Sequence, residues 1–291
     1  MTIFFQLLLV GIMAGAVLGL TAMGFILIYR CSGIFNIAQG ELVAIGALLC
    51  FAFLNGLNLH PALAIFLAML GGALIGLLLS RFPFGPLTGQ PMLALFIVSL
   101  GLLVFLRAGI LMVWGTRDIG YFRPFLPQGA IDFAGLALYP RELFGFGVAA
   151  ALLLVFLWLF RFTRFGLVLR AVSEDTRIAR SLGINLKVLI AVAFAIGTAV
   201  AAVGGVILGL TQGITTNLGD VGLAGLAAVL IGGMESILGG IVGGLLIGVV
   251  TAMASYYIGH GFGGVAAYVV MLIILLVRPY GLFGQERIER V

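Results

Sequence analysis

Long apolar runs broken by short polar joints recur along almost the whole chain. A helix needs about 20 apolar residues to cross roughly 30 Å of hydrocarbon. On that measure the pattern predicts spans over 4–29, 37–55, 61–80, 91–113, 143–160, 188–211, 218–234, 236–257 and 262–278. The 218–234 segment is short and rich in glycine, so it reads either as a full span or as a re-entrant half-helix. The expected fold is an all-α polytopic membrane protein with about 8–9 transmembrane helices. All of 1–291 then forms a single transmembrane domain.

One joint differs from the rest. Arg161–Lys187, RFTRFGLVLRAVSEDTRIARSLGINLK, carries Arg161, Arg164, Arg170, Arg177, Arg180 and Lys187 against Glu174 and Asp175. Read as a helix, it puts Val168, Leu169, Val172, Thr176, Ala179 and Leu182 on one face and Arg170, Glu174, Arg177 and Ser181 on the other. Such a cationic amphipathic helix suits an anionic headgroup layer. It equally suits a groove on a soluble partner.

Composition supports the membrane reading. Hydrophobic residues make up 63% of the chain, charged residues 9%, and mean hydropathy is +1.30. A soluble domain has about 45–50% apolar residues. The basic residues sit in short joints beside spans, so the pI near 9.6 reports orientation rather than nucleic-acid binding. With 161–187 in the cytoplasm, Arg30, Arg81, Arg278, Arg287 and Arg290 share that side only if 218–234 crosses. The N-terminus then lies outside, as does the 114–142 loop with Arg117, Asp118, Arg123, Asp132, Arg141 and Glu142. The C-terminus is cytoplasmic. The opening MTIFFQ has no basic n-region, so the first span is expected to be retained. Cys31 and Cys50 lie at or within apolar segments and imply no disulfide framework.

Polar residues inside the apolar body are few. Asn36 and Gln39 are spaced as a capping box for the second span, and Glu41 sits one turn inside it. Glu235, in GGMESILGG, is a second acid at membrane depth. Both carboxylates read either as caps on helix N-termini or as polar lining of a pathway. Thr211, Gln212, Thr215, Thr216, Asn217 and Asp220 form a polar cluster after the sixth span, either a loop or an outer mouth. Small-xxx-small stripes at Gly11/Gly15/Gly19, Gly205/Gly209, Gly239/Gly243 and Gly240/Gly244 allow close backbone approach, within the chain or between subunits.

Several chemistries are missing. The single lysine, Lys187, is not in a phosphate-binding GxxxxGK[ST] loop. His60 and His260 belong to no HExxH motif, and no GxSxG elbow occurs. An enzyme is not expected, and no cofactor is expected in this chain. A pore or carrier remains.

Gly19–Leu48, GLTAMGFILIYRCSGIFNIAQGELVAIGAL, resembles the N-terminal signature of permeases from branched-chain amino-acid ABC importers. The match rests on Gly33, Ile34, Asn36, Ala38, Gly40, Glu41, Gly46 and Ala47. Gln39 stands where many members have His. Leu169–Gly209, the AAVLIGGMESILGGIVGGLLIGV run and the terminal RPYGLFG are also similar to that family, in the same order.

The resemblance implies a non-catalytic permease subunit in a bacterial inner membrane, passing a branched-chain or related amino acid. Its implied partners are a second homologous permease (or a second copy), two cytoplasmic ATPases that bind the ATP, and a periplasmic solute-binding protein. The 161–187 joint would be the coupling loop, with Arg170, Glu174, Arg177, Arg180 and Gly183 toward the ATPase. Asn185 would cap the next span. Asn36, Gln39, Glu41, Glu235, Thr215 and Asn217 would organise the interrupted helices and the pathway. The competing reading, from the intramembrane acids alone, is a stand-alone secondary transporter or channel for a small polar solute, with Glu41 or Glu235 as its ion site.

Overall fold

The computed structural model describes residues 2–87, 89–133, 136–174, 179, 181–215, 217–259 and 261–284. Arg177 and Arg180 lie outside the described residues. Among the described residues these α-helices dominate: α1 Thr2–Ser32, α2 Gln39–Phe51, α3 Pro61–Arg81, α4 Met92–Trp114, α5 Pro140–Phe162, α6 Arg164–Glu174, α7 Leu186–Thr211, α8 Val221–Gly232, α9 Ile237–Tyr257 and α10 Phe262–Val277. A π-helical turn, Ala52–Gly56, extends α2, and β1 (Ile131–Phe133) pairs antiparallel with β2 (Leu136–Leu138) in the 114–142 loop. Among the described residues, seven helices, counting α2 together with its π-helical turn, are long and apolar enough to cross a membrane. Helix α10, 16 residues long, reaches about 24 Å. Helix α8 has only 12 residues, about 18 Å, which is a half-span.

Helices α1 and α7 form the centre, burying Leu20, Ala22, Ile26 and Leu27 from α1 and Ala193, Phe194, Ala201 and Val206 from α7. Helices α3, α4, α5 and α10 turn large side chains such as Phe66, Phe105, Trp158 and Leu276 outward, the face expected against lipid. The glycine stripes are seams within the chain. A methyl on Gly15 would come 2.7 Å from the Cα of Leu245, and Gly11 meets Val249 equally closely, so α1 and α9 touch backbone to backbone. Gly243 faces Ala228 of α8, and Gly205 faces the Val43 carbonyl of α2.

The terminal RPYGLFG folds onto α8. Leu282 and Phe283 donate backbone N–H groups to the carbonyls of Ile231 and Gly232, at 2.8 and 3.0 Å. These are carbonyls that a helix end leaves without partners, so the tail caps α8. Gly281, at φ +80, makes the turn and packs against Gly233.

Candidate functional site: an interrupted-helix centre, a vestibule and a surface helix

Helix α2 starts in the middle of the bundle rather than at its end. Its first residue, Gln39, donates from Nε2 to the Gly197 carbonyl at 3.0 Å, and Gly197 lies near the middle of α7. The same amide packs on Gly24, well before the end of α1. Residues 33–38 therefore run back alongside α1 as non-helical chain. Such backbone persists at depth only when protein surrounds it, and Ile34, Asn36 and Ala38 are all buried.

Asn36 and Gln39 do not form the expected capping box. Ala38 occupies the N-cap position with helical dihedrals and no side-chain cap. Asn36 Nδ2 donates to Gln39 Oε1 at 3.3 Å, orienting the amide toward α7. The box fails because α7 offers the buried Gln39 amide a carbonyl, and an unpaired amide in a buried site costs more than a missing local cap.

Glu41, in the first turn of α2, is 5% exposed. Its carboxylate packs on Gly219 and lies 3.8 Å from Arg107 of α4. Arg107 also holds Asp220 Oδ1 at 2.9 Å and reaches Asn217 Oδ1 at 3.5 Å. Below this cluster Gly40 and Gly222 touch backbone to backbone, joining the two shortest intramembrane pieces, α2 and α8. Glu41 is thus a pin between α2, α4 and the entry to α8. Asn217 belongs to this cluster, whereas Thr215 is exposed. Sequence reasoning missed Arg107; its signal is a lone cation inside the apolar run of α4.

A vestibule of about 510 Å³ opens beside this cluster. Val17, Leu18, Phe146, Ile207, Val221 and Ala224 are among its apolar walls. Glu142, Thr211, Gln212, Asn217, Asp220 and Ser255 bring polar groups to it. The polar residues come from the start of α5, the end of α7 and the end of α9 at one end of the bundle, and from the approach to α8, deeper beside the start of α2. The α1–α9 glycine seam runs beside it, with Gly248 in its wall. The neighbouring 114–142 loop holds a separate crevice of about 320 Å³, where Arg141 lies over the rings of Tyr121 and Tyr139.

Arg30, Arg81, Arg161, Arg164 and Lys187 gather at the opposite end, where the 161–187 joint lies. Helix α5 stops at Thr163, whose extended backbone breaks the helix and whose Oγ1 accepts from the Gly166 N–H at 3.3 Å to start α6. Helix α6 is amphipathic: Gly166, Leu169 and Val172 are buried, while Arg164, Leu167, Arg170 and Glu174 are exposed. Ala179 is buried as expected, but Leu182 is 74% exposed. The apolar face ends before Leu182 because the chain turns at Gly183, φ +83, to enter α7. Asn185 caps α7, its Oδ1 accepting from the N–H groups of Lys187 and Val188 at 3.2 and 3.4 Å. Arg170 Nη1 donates to the Phe160 carbonyl at 2.8 Å, which fastens α6 to the end of α5.

Glu235 lies at this same end, lining a cavity of about 420 Å³ with Arg30, Gln90 and Ser173. It does not cap α9. Ser236 does, its Oγ accepting from Gly239 N–H at 3.0 Å, because the shorter side chain has the reach for its own helix. Glu41 and Glu235 are therefore far apart along the bundle, and neither lines the vestibule. Among the described residues no group of three or more His, Cys, Asp or Glu could hold a metal ion.

Comparison with known proteins places these features in context. A family model described as branched-chain amino acid transport system / permease component matches residues 7–278. The high-affinity branched-chain amino acid transport system permease protein LivH of Escherichia coli K12 is 29% identical over 302 residues, covering 99% of this chain and 98% of that one. BraD of Pseudomonas aeruginosa, named likewise, is 30% identical over 304 residues, with 99% and 98% covered. A probable LivH of Methanocaldococcus jannaschii is 27% identical over 284 residues, covering 92% and 88%. Among solved structures, a chain of PsaBC from Streptococcus pneumoniae in complex with Fab has a TM-score of 0.51 at 15% identity, covering 94% of this chain and 92% of that one. That likeness concerns the fold alone.

Proposed function

The chain belongs to the family of permease components of branched-chain amino acid transport systems, and from that premise we propose that it forms half of the pathway of an ABC importer for aliphatic amino acids. It sits as a multi-pass protein in a bacterial inner membrane, with the basic end and C-terminus in the cytoplasm. A second permease or a second copy completes the pathway, two ATPases bind and hydrolyse ATP, and a solute-binding protein delivers cargo to the vestibule end.

The observation that carries this reading is α6. It is a short amphipathic cationic helix at the basic end, bolted to α5 through Arg170. A helix fastened in this way to the end of α5 moves with the span behind it. A partner that grips its exposed face differently with ATP than with ADP thereby shifts the bundle between states. Arg164, Leu167 and Glu174 are exposed there, and Arg177 and Arg180 join them as contacts. Arg170 serves to fix the helix.

Co-purification from the native membrane tests this. The wild-type chain brings a soluble ATPase with it, and Arg177→Glu/Arg180→Glu strips that ATPase away while the permease stays folded. An ATPase that never associates, or that ignores the charge reversal, contradicts the assignment.

A further inference from the structure

We propose that the vestibule receives the amino acid with its α-ammonium group on the carboxylate of Glu142 and its side chain against the apolar wall. The proposal rests on the importer reading above and adds the group that reads the substrate.

Charge argues for it first. Glu142 and Asp220 are the only charged side chains among the described residues lining the vestibule. Asp220 is already matched by Arg107 at 2.9 Å. Arg141, the cation next to Glu142 in sequence, lies 5.9 and 5.3 Å over the rings of Tyr121 and Tyr139, in the loop crevice. Arg141 acts on Glu142 through its charge, but among the described residues no close ion pair closes on this carboxylate, so the vestibule favours a cationic group over an anion.

A second observation concerns the carboxylate itself. Glu142 lines the vestibule, and its Oε2, covered in this structure, accepts no hydrogen bond; a turn of the carboxylate about its terminal bond presents that oxygen to a ligand. A buried oxygen without a partner costs free energy, and its presence asks for an explanation. A ligand ammonium supplies one, since it carries three N–H donors and a charge of the right sign. The wall then selects the rest of the molecule: Val17, Phe146, Ile207 and Val221 offer hydrocarbon to an aliphatic side chain. A cavity of about 510 Å³ is in the usual range for a small-molecule site. Gln212, an exposed amide at the same mouth, supplies a donor for a ligand carboxylate.

The test uses the full chain in nanodiscs with Ser255→Cys in the vestibule as a reporter. The native Cys31 and Cys50 are buried, so a maleimide reads the reporter. Leucine is expected to slow labelling. Its 2-oxo acid, with the same body and no ammonium, is expected to have no effect. Adding Glu142→Gln should weaken protection by leucine roughly 10- to 100-fold, the worth of a charged hydrogen bond. Glu142→Asp should restore part of it, and the unprotected labelling rate should be the same in all three. Equal protection by leucine and its 2-oxo acid, or protection that survives Glu142→Gln, overturns the ammonium site. The transport reading is tested separately, by ATP-driven leucine uptake through the assembled importer. Uptake without any protection condemns the site alone, and protection without uptake condemns the importer reading alone.

Discussion

Replacing Arg107 with leucine is expected to cost about 3 kcal/mol of stability, the low end for stranding one member of a buried ion pair. Glu41 is 5% exposed and packed against the backbone of Gly219, so it cannot turn to water when its cation goes. Arg107 keeps 37% of its side chain exposed, which is why the low end applies. The loss also frees Asp220 and Asn217, and with them the entry to α8. Thermal unfolding in detergent measures this directly. The double variant Arg107→Leu/Glu41→Gln should recover most of the deficit, because a neutral amide is far cheaper to bury than an unmatched carboxylate. A double variant as unstable as Arg107→Leu alone would mean that Glu41 is not the partner that matters.

The second large effect is steric. Gly205→Ala is expected to cost several kcal/mol and to leave little folded permease in the membrane, as overpacking at a backbone contact does. Any Cβ at Gly205 overlaps the carbonyl of Val43, and the Ala47 N–H lies 3.2 Å away. Backbone atoms cannot swing aside like a flexible side chain. Helices α2 and α7 would have to separate, which breaks the Gln39–Gly197 hydrogen bond. Gly147→Ala is the control: its Cβ meets nothing within 4 Å, and the change should be silent. Yield of monodisperse protein by size-exclusion chromatography separates the two outcomes.

How much of this was legible in the sequence depends on what each signal measures. Apolar length finds spans because a bilayer demands a fixed run of hydrocarbon, so α3, α4, α5, α7 and α9 appear within a few residues of their predicted bounds. The short 218–234 run resolves into one 3-10 turn, Leu218–Asp220, followed by the half-span α8. Stripes such as Gly11/Gly15/Gly19 announce close packing, but only the three-dimensional contact with Gly244 and Gly248 shows that the partner is α9 of the same chain.

The polar residues were harder. Asn36 and Gln39 have the spacing of a local cap, and local spacing carries no information about a carbonyl 158 residues away in α7. Glu41 was legible as a buried acid, but its cation was not sought in a run as apolar as α4. Glu142 drew no notice as a site because it stands next to Arg141, and neighbours in sequence pass for an ion pair. On a helix, adjacent residues point in different directions. Here they face different cavities.

The central claim is that this chain moves solute only when partner ATPases drive it. The most direct measurement is leucine uptake into liposomes holding the permease assembly, with or without its ATPases. Binding protein and leucine are supplied on the vestibule side, ATP on the other. Uptake should require ATPases and ATP together and should persist when proton and sodium gradients are collapsed. Uptake by the permease alone, driven by an ion gradient and abolished by Glu41→Gln, would contradict the account and make the protein a secondary transporter.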